Sequence, residues 1–308
     1  MDINETTKGD LAIFGEALLW SLFPIITILS YASFNPITSL AYSTLFAAVF
    51  FGLAMAVRGK LKELYSPAAW KYIFPIAFFI GWLFYGFYFT GLKYTTAGNA
   101  SIISLMELFF AYLLFNVYKK QSFSKKHTLG AVLMLLGALV ILYPKQGLSF
   151  HGGDFLVLLA SACAPVGNYF QQKARKAVSS ETILFLRSLL TFPFFFLLAY
   201  FTGAQTGWLV AEKSFGFLLL NGFIVLGLSK IMWLEGIHRI SVTRANALST
   251  IGPLFTLLFA YIILRQQPTL WQLVAFVPLA AGLMLLTAKD RSVAVNFKRP
   301  LERPEGLV

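Results

Sequence analysis

Among 308 residues there is one cysteine, Cys163, and it sits inside an apolar stretch, so neither a disulfide framework nor a cysteine metal cluster can be built. Histidine is almost as scarce. His127, His151 and His238 lie far apart, each near the end of a segment, and no metal or other cofactor is expected. Charged residues make up 12% of the chain, half of the about 25% typical of a soluble domain, which excludes a globule with a polar skin. No glycine-rich phosphate loop is present, and no nucleophile stands with a histidine base, so an enzyme is not expected.

What the chain has instead is apolar length. Hydrophobic residues reach 58% and the mean hydropathy is +0.72. A bilayer crossing takes about 20 such residues, and stretches of this kind fall at 11–31, 36–57, 72–92, 97–118, 128–144, 153–172, 182–202, 215–237, 245–264 and 270–288. The first follows an acidic head (Asp2, Glu5, Asp10) and carries Glu16, unlike a cleavable signal, so it reads as a retained helix. The runs do not alternate in polarity. Backbone amides in hydrocarbon must therefore pair within their own segment, which gives an all-α integral membrane protein of ten transmembrane helices. The net charge of +12 is a topology signal rather than a nucleic-acid footprint. With the amino terminus inside, 19 of the 25 cations fall in inside loops and the tail, against four outside (Lys93, Lys145, Lys213 and Arg265). Both termini are expected in the cytoplasm, and a bacterial inner membrane is the expected location.

Residues 91–145 shifted by 145 positions fall on 236–290 without a gap, matching Gly91 with Gly236, Ala100 with Ala245, Ser104 with Ser249, Phe110 with Phe255 and Gly137 with Gly282. Gly9-Asp10 before the first helix corresponds to Gly153-Asp154 before the sixth, where each Asp is expected to cap a helix start. Five helices per copy is an odd number, so the second copy enters the membrane upside down. Two inverted five-helix repeats, 11–145 and 151–288, are expected to enclose a central cavity, with a head at 1–10 and a basic tail at 289–308.

These residues carry a resemblance. Gly9-Asp10 with Trp20, the run from Gly91 to Ser101, Gly153-Asp154, Arg187, and Gly236 through Pro253 with Gly282 stand in the order found in the ten-helix EamA-type carriers of the drug/metabolite transporter superfamily, to which the sequence is similar over roughly residues 9–288. It departs from the family pattern at Gln121 and Gln266, where a Glu is usual, at Tyr42, where an Arg is common, and at Glu107-Leu108, where the second copy has Gly252-Pro253. The resemblance implies carriage of small metabolites, often outward, by alternating access.

A charge near the bilayer centre costs about 2.5 to 3.5 kcal/mol, so each one needs a reason. Glu107 lies roughly 15 Å into the fourth helix, near the midplane. It is the leading candidate to bind a cationic group or a proton; the alternative is a structural ion pair with Lys230 or Arg187. Glu16 and Trp20, one turn apart, could hold an ammonium by charge and cation-π attraction, or Glu16 could reach interfacial water. Lys230, repeat partner of Tyr85, could face the cavity, whereas Arg187 is expected to snorkel to the inner surface. Glu235 reads as a structural or gating residue that could pair with Arg239. Trp82, Tyr85 and Phe89 recur at helical spacing as one stripe, and with Tyr88 they could stack on a substrate or merely pack. Asn168, Tyr169, Asn246 and Ser249 add polar candidates for the same site, although such residues also bridge helices.

The expected function is secondary active transport, as exporter or exchanger, of a small amino acid or related polar metabolite, with proton coupling through Glu107. A cationic or quaternary-amine substrate is the second reading, and a noncatalytic membrane partner protein the third. The expected partners are a small-molecule substrate, protons and the lipid bilayer, with no nucleic acid; monomer and homodimer both stay open.

Overall fold

The computed structural model describes residues 4–119, 125–143, 152–203, 208–240 and 242–288. Gln121, Lys145, the tail and the side chain of Asn246 lie outside the described residues. Among those described, every regular element is helical. Among the described residues, nine helices are long and apolar enough to cross a membrane: α1 (Glu5–Ser30), α2 (Pro36–Val57), α3 (Ile73–Leu92), α4 (Ala97–Leu114), α5 (Lys125–Leu142), α6 (Gly152–Ala174), α7 (Ser180–Phe201), α8 (Ser214–Arg239) and one more, the last of those described. Before it comes a shorter apolar helix, α9 (Gly252–Leu264), and the last is α10 (Leu270–Thr287). Leu53, Leu139, Phe201, Val277 and Met284 point outward, each more than half exposed, giving the bundle an apolar exterior.

The first helix begins earlier than the hydropathy pattern suggests. Asn4 caps it, accepting from the Thr6 amide, so Asp10 lies inside α1 rather than capping its start. Two of the long helices are interrupted, and so is the expected ninth. Pro24 breaks α1 at Leu22, α4 is cut at Leu105, and the stretch expected as a single ninth helix is two pieces, Val242–Ser249 and α9, parted just before Pro253. The breaks in α4 and before α9 fall at matching points of the repeat. So do two π-helical stretches, Ala77–Phe84 in α3 and Asn221–Leu228 in α8, 144 residues apart.

The major packing pairs each join the two halves: α5 with α10, α2 with α7, α1 with α8, and α3 with α6. Glycine makes the closest of them possible, and the contacts come in exchanged pairs. A Cβ on Gly130 would lie 2.8 Å from the Gly282 carbonyl oxygen, and one on Gly137 2.8 Å from that of Ala275, the residue 145 positions after Gly130. Gly9 packs on Gly236, and their repeat partners Gly153 and Gly91 pack on each other. We term the end of the bundle where α1 starts end A and the end where α6 starts end B.

Candidate functional site

Helices α1, α4, α6, α7 and α8 bring charged and aromatic side chains together inside the bundle. Glu16, on α1, is buried at 4% exposure, and its Oε1 accepts from Lys230 Nζ of α8 at 3.3 Å. The same ammonium lies 3.2 Å from the ring centroid of Trp20, one helical turn after Glu16. Carboxylate and indole thus hold one cation between them, an arrangement that offsets the partial desolvation of the ammonium.

Glu107 lies in the first turn of the second piece of α4, just after the interruption at Leu105. Asn168 of α6 donates to its Oε1 at 2.8 Å. Lys230 is within electrostatic reach of Glu107 as well as Glu16, and also of Arg187. Arg187 is buried at 5% exposure, with its guanidinium 5.5 Å over the Tyr85 ring. The expected snorkelling of Arg187 is therefore corrected: an aromatic face inside the bundle holds it. Two carboxylates, Glu16 buried and Glu107 half-buried, and two cations, from four helices, balance one another in charge.

An aromatic wall lines this cluster. Phe23 stacks on Trp20 at 4.5 Å and meets Tyr88 at 5.0 Å and Tyr85 at 6.2 Å between centroids. The hydroxyl of Ser104, the last residue before the break in α4, reaches the Tyr88 oxygen at 3.5 Å. Trp82 does not join them. Its indole N–H donates to the Leu190 carbonyl at 3.3 Å and its ring stacks on Phe194 at 4.4 Å, tying α3 to α7. The physical reason is the π-helical stretch, in which the Tyr85 amide bonds five residues back to Ile80; the wider turn moves Trp82 off the face that Tyr85 shares with Phe23. The single stripe read from helical spacing is thus split.

Other candidates lie elsewhere. Tyr169 receives Lys173 4.4 Å over its ring, near the end of α6. Glu235 pairs with Arg239, which also bonds Glu5 at 3.2 Å, at end A. The Ser249 hydroxyl is buried, with no hydrogen-bond partner among the described residues, beside the break that precedes α9.

Both ends of the bundle carry a clasp that residue spacing alone did not reveal. At end A, Arg244 makes two bonds to Asp10, of 2.7 and 2.6 Å. At end B, the repeat partners Asn99 and Asp154 meet the same way, through Asn99 Nδ2 at 3.3 and 3.1 Å, joined by Thr95. Gln272 of α10 adds a bond of 2.8 Å to Asn99. Outside the spans, Glu63 accepts from the Ser179 amide, the Ser179 hydroxyl and the Thr182 hydroxyl, each at 2.7 Å, and so caps the start of α7. Partial burial alone would raise the Glu63 carboxyl, but these donors and Lys60 outweigh it and hold the group below its ordinary value of 4.5.

Comparison with known proteins fits this geometry. The model of the EamA-like transporter family matches twice, at residues 7–143 and 151–288. An uncharacterized transporter of Synechocystis sp. is 24% identical over 72% of this chain and 67% of its own length. An uncharacterized transporter of Haemophilus influenzae is 22% identical over 89% of this chain and 94% of its own, and the uncharacterized transporter YyaM of Bacillus subtilis is 22% identical over 86% and 88%. Against an uncharacterized transporter of Methanothermobacter thermautotrophicus, 28% identical, the alignment spans 59% of the relative's length. One solved structure, described as a crystal structure of a protein, shares the fold with a TM-score of 0.62 at 20% identity, over 90% of this chain and 95% of that one.

Proposed function

Because the chain belongs to the EamA-like transporter family and is a membrane transporter with a small-molecule substrate, we propose that it is a secondary active exporter or exchanger of small amino acids or related polar metabolites. In this reading ten crossings form two inverted repeats, 11–145 and 151–288, with both termini in the cytoplasm of a bacterial cell. Its action is transport rather than catalysis. The observation that carries the substrate class is the charge-balanced cluster of Glu16, Glu107, Arg187 and Lys230. A zwitterion adds no net charge to it. The substrate's ammonium takes the place of Lys230 on Glu16 or meets Glu107, and its carboxylate turns to the freed Lys230 or to Arg187. Such exchange keeps each charge of the cluster partnered as the substrate enters.

In this reading the two clasps serve alternating access: one opens while the other holds, and the chain bends at the breaks within α4 and before α9. Glu107 has one direct donor among the described residues, Asn168, and in this reading it is also the group that carries the coupled proton. Uptake into proteoliposomes under a pH gradient tests both claims. Amino acids are expected to compete with one another, and Glu107→Gln is expected to abolish the dependence on pH; full pH-driven transport by that variant would overturn the role of the carboxylate.

One observation favours a second reading. Lys230 rests on Trp20 beside Glu16, so the cluster already accommodates an ammonium. A cationic or quaternary-amine substrate would use the same contacts, and in that case choline-like compounds, rather than zwitterions, would compete.

A further inference from the structure

At end A the link between α2 and α3, residues 58–72, packs on residues 173–181, which join α6 to α7. Leu64 and Tyr72 share a buried cluster with Ala174 and Val178, and Glu63 bonds Ser179. Together the two segments carry seven cations and two carboxylates. Both carboxylates are engaged, Glu63 with Ser179, Thr182 and Lys60, and Glu181 with Arg58. Among the described residues no carboxylate pairs with Lys62, Lys71, Arg175 or Lys176. The Lys71 ammonium meets the Tyr72 ring, 5.4 Å from its centroid.

Lys71 also heads an outward face. Phe74, Phe78 and Trp82 follow it at three- and four-residue spacing, and their rings are in contact, with centroids 6.4 Å apart for Phe74 and Phe78, 5.8 Å for Phe74 and Trp82, and 5.9 Å for Phe78 and Trp82. Trp82 carries the face onto α7 by stacking on Phe194. Phe74 is 63% exposed, and Phe78 and Phe194 are 36% exposed, so this aromatic shelf looks out of the bundle along the seam of α3 and α7. Below Lys71 it runs for on the order of 10 Å, most of the depth of one hydrocarbon leaflet. Above it, Tyr65 and Trp70 are exposed in the link, as aromatic residues at the headgroup level are.

The excess of cations at one membrane face accounts for the lysine but not for the stacked rings beneath it. Packing accounts for Trp82 but not for Phe74 and Phe78, which the bundle leaves uncovered. Nor does the fold require this face, since 145 positions later α8 has Gly216, Leu219, Phe223 and Gly227. An unpaired ammonium suits a phosphate, and an apolar shelf running down from it suits an acyl chain. The one ligand that offers both, and that surrounds this seam, is a phospholipid with net negative charge.

We propose that Lys71 with Phe74, Phe78, Trp82 and Phe194 forms a binding site for an anionic phospholipid, its phosphate on Lys71 and one acyl chain along the rings, across the seam of α3 and α7. The site lies outside the central cluster and does not depend on the identity of the substrate.

The test reads lipid binding rather than transport. The full-length protein is reconstituted in phosphatidylcholine vesicles that contain the same small fraction of either phosphatidylglycerol or phosphatidylcholine brominated at mid-chain, and quenching of Trp82 is taken as the difference between the native and Trp82→Phe chains. Brominated phosphatidylglycerol is expected to quench Trp82 up to about fivefold more, the preference that one lysine gives at an anionic surface. Lys71→Gln, a change on an exposed side chain, is expected to bring the two lipids level. In detergent, phosphatidylglycerol added to the purified protein is expected to raise Tm in the native chain and not in Lys71→Gln, and glycerol phosphate is expected to leave both unchanged. Equal quenching of Trp82 by the two lipids in the native chain would overturn the proposal, as would an excess of quenching or a rise in Tm that persists in Lys71→Gln. A rise in Tm with glycerol phosphate as large as that with the lipid would mark a site for free phosphate and overturn it too.

Discussion

The two ends of the bundle are built from corresponding residues and closed by different means. At end A, Gly9 on α1 faces Gly236 on α8, and a Cβ on Gly9 would first meet the Ile240 side chain at 2.7 Å and the Arg239 Cβ at 3.0 Å. At end B the partner pair is tighter: a Cβ on Gly153 would lie 2.5 Å from the Tyr94 carbonyl carbon and 2.6 Å from the Gly91 oxygen, both backbone atoms. The clasps differ in the same sense. Asp10 and Arg244 form an ion pair whose side chains are 26% and 54% exposed, while Asp154 is 3% exposed and held by neutral donors. Side chains can swing away and an exposed ion pair is screened by salt, whereas backbone in contact with backbone cannot yield. In the proposed transport cycle, end A would open at lower cost and end B would be the firmer gate.

The largest test of this contrast is a single methyl group. Gly153→Ala is expected to destabilise the closed end B by about 2 kcal/mol, as overpacking against backbone does. Gly9→Ala should be much milder, because the Ile240 side chain can rotate. The comparison breaks if the two variants melt at the same temperature. Next in size, Asp154→Ala strands the Asn99 and Thr95 donors and should also cost about 2 kcal/mol, most of it recovered in Asp154→Asn. Smaller is Glu63→Gln at end A, about 1 kcal/mol from the weakened cap of α7. Because the folded carboxyl lies below its ordinary value, the native protein has this stability in full above about pH 4.5 and loses it as pH falls through the lowered value, so the variant and the native chain should converge in acid. The smallest effect belongs to Arg244→Gln, a slight fall in Tm at low salt that disappears at high salt.

Much of this was legible in the sequence. The long apolar runs marked the helices, and the 145-residue shift paired Gly137 with Gly282 and Gly91 with Gly236, residues that turn out to lie at the closest crossings. Glu16, Glu107 and Lys230 stood out because charge in hydrocarbon is costly. What periodicity could not carry was the irregular backbone. A π-helical turn leaves no mark in a 3.6-residue pattern, so Trp82 was grouped with Tyr85, and the interruption of α4 at Leu105 has no proline to announce it. Arg187 was misjudged because spacing from a helix end says nothing of the Tyr85 ring that holds it. Asn99 and Arg244 sat at matching positions of the repeat, but nothing short of the fold linked them to Asp154 and Asp10.

The most direct test of the account is whether the central cluster can be reached from water. Ser104 contacts Tyr88 one turn from Glu107, and Cys163 is the only native thiol. Ser104→Cys in a Cys163→Ser background, treated with a membrane-impermeant thiol reagent from each face in turn, is predicted to react from both faces and to be protected by substrate. A thiol that reacts from neither face would contradict the account.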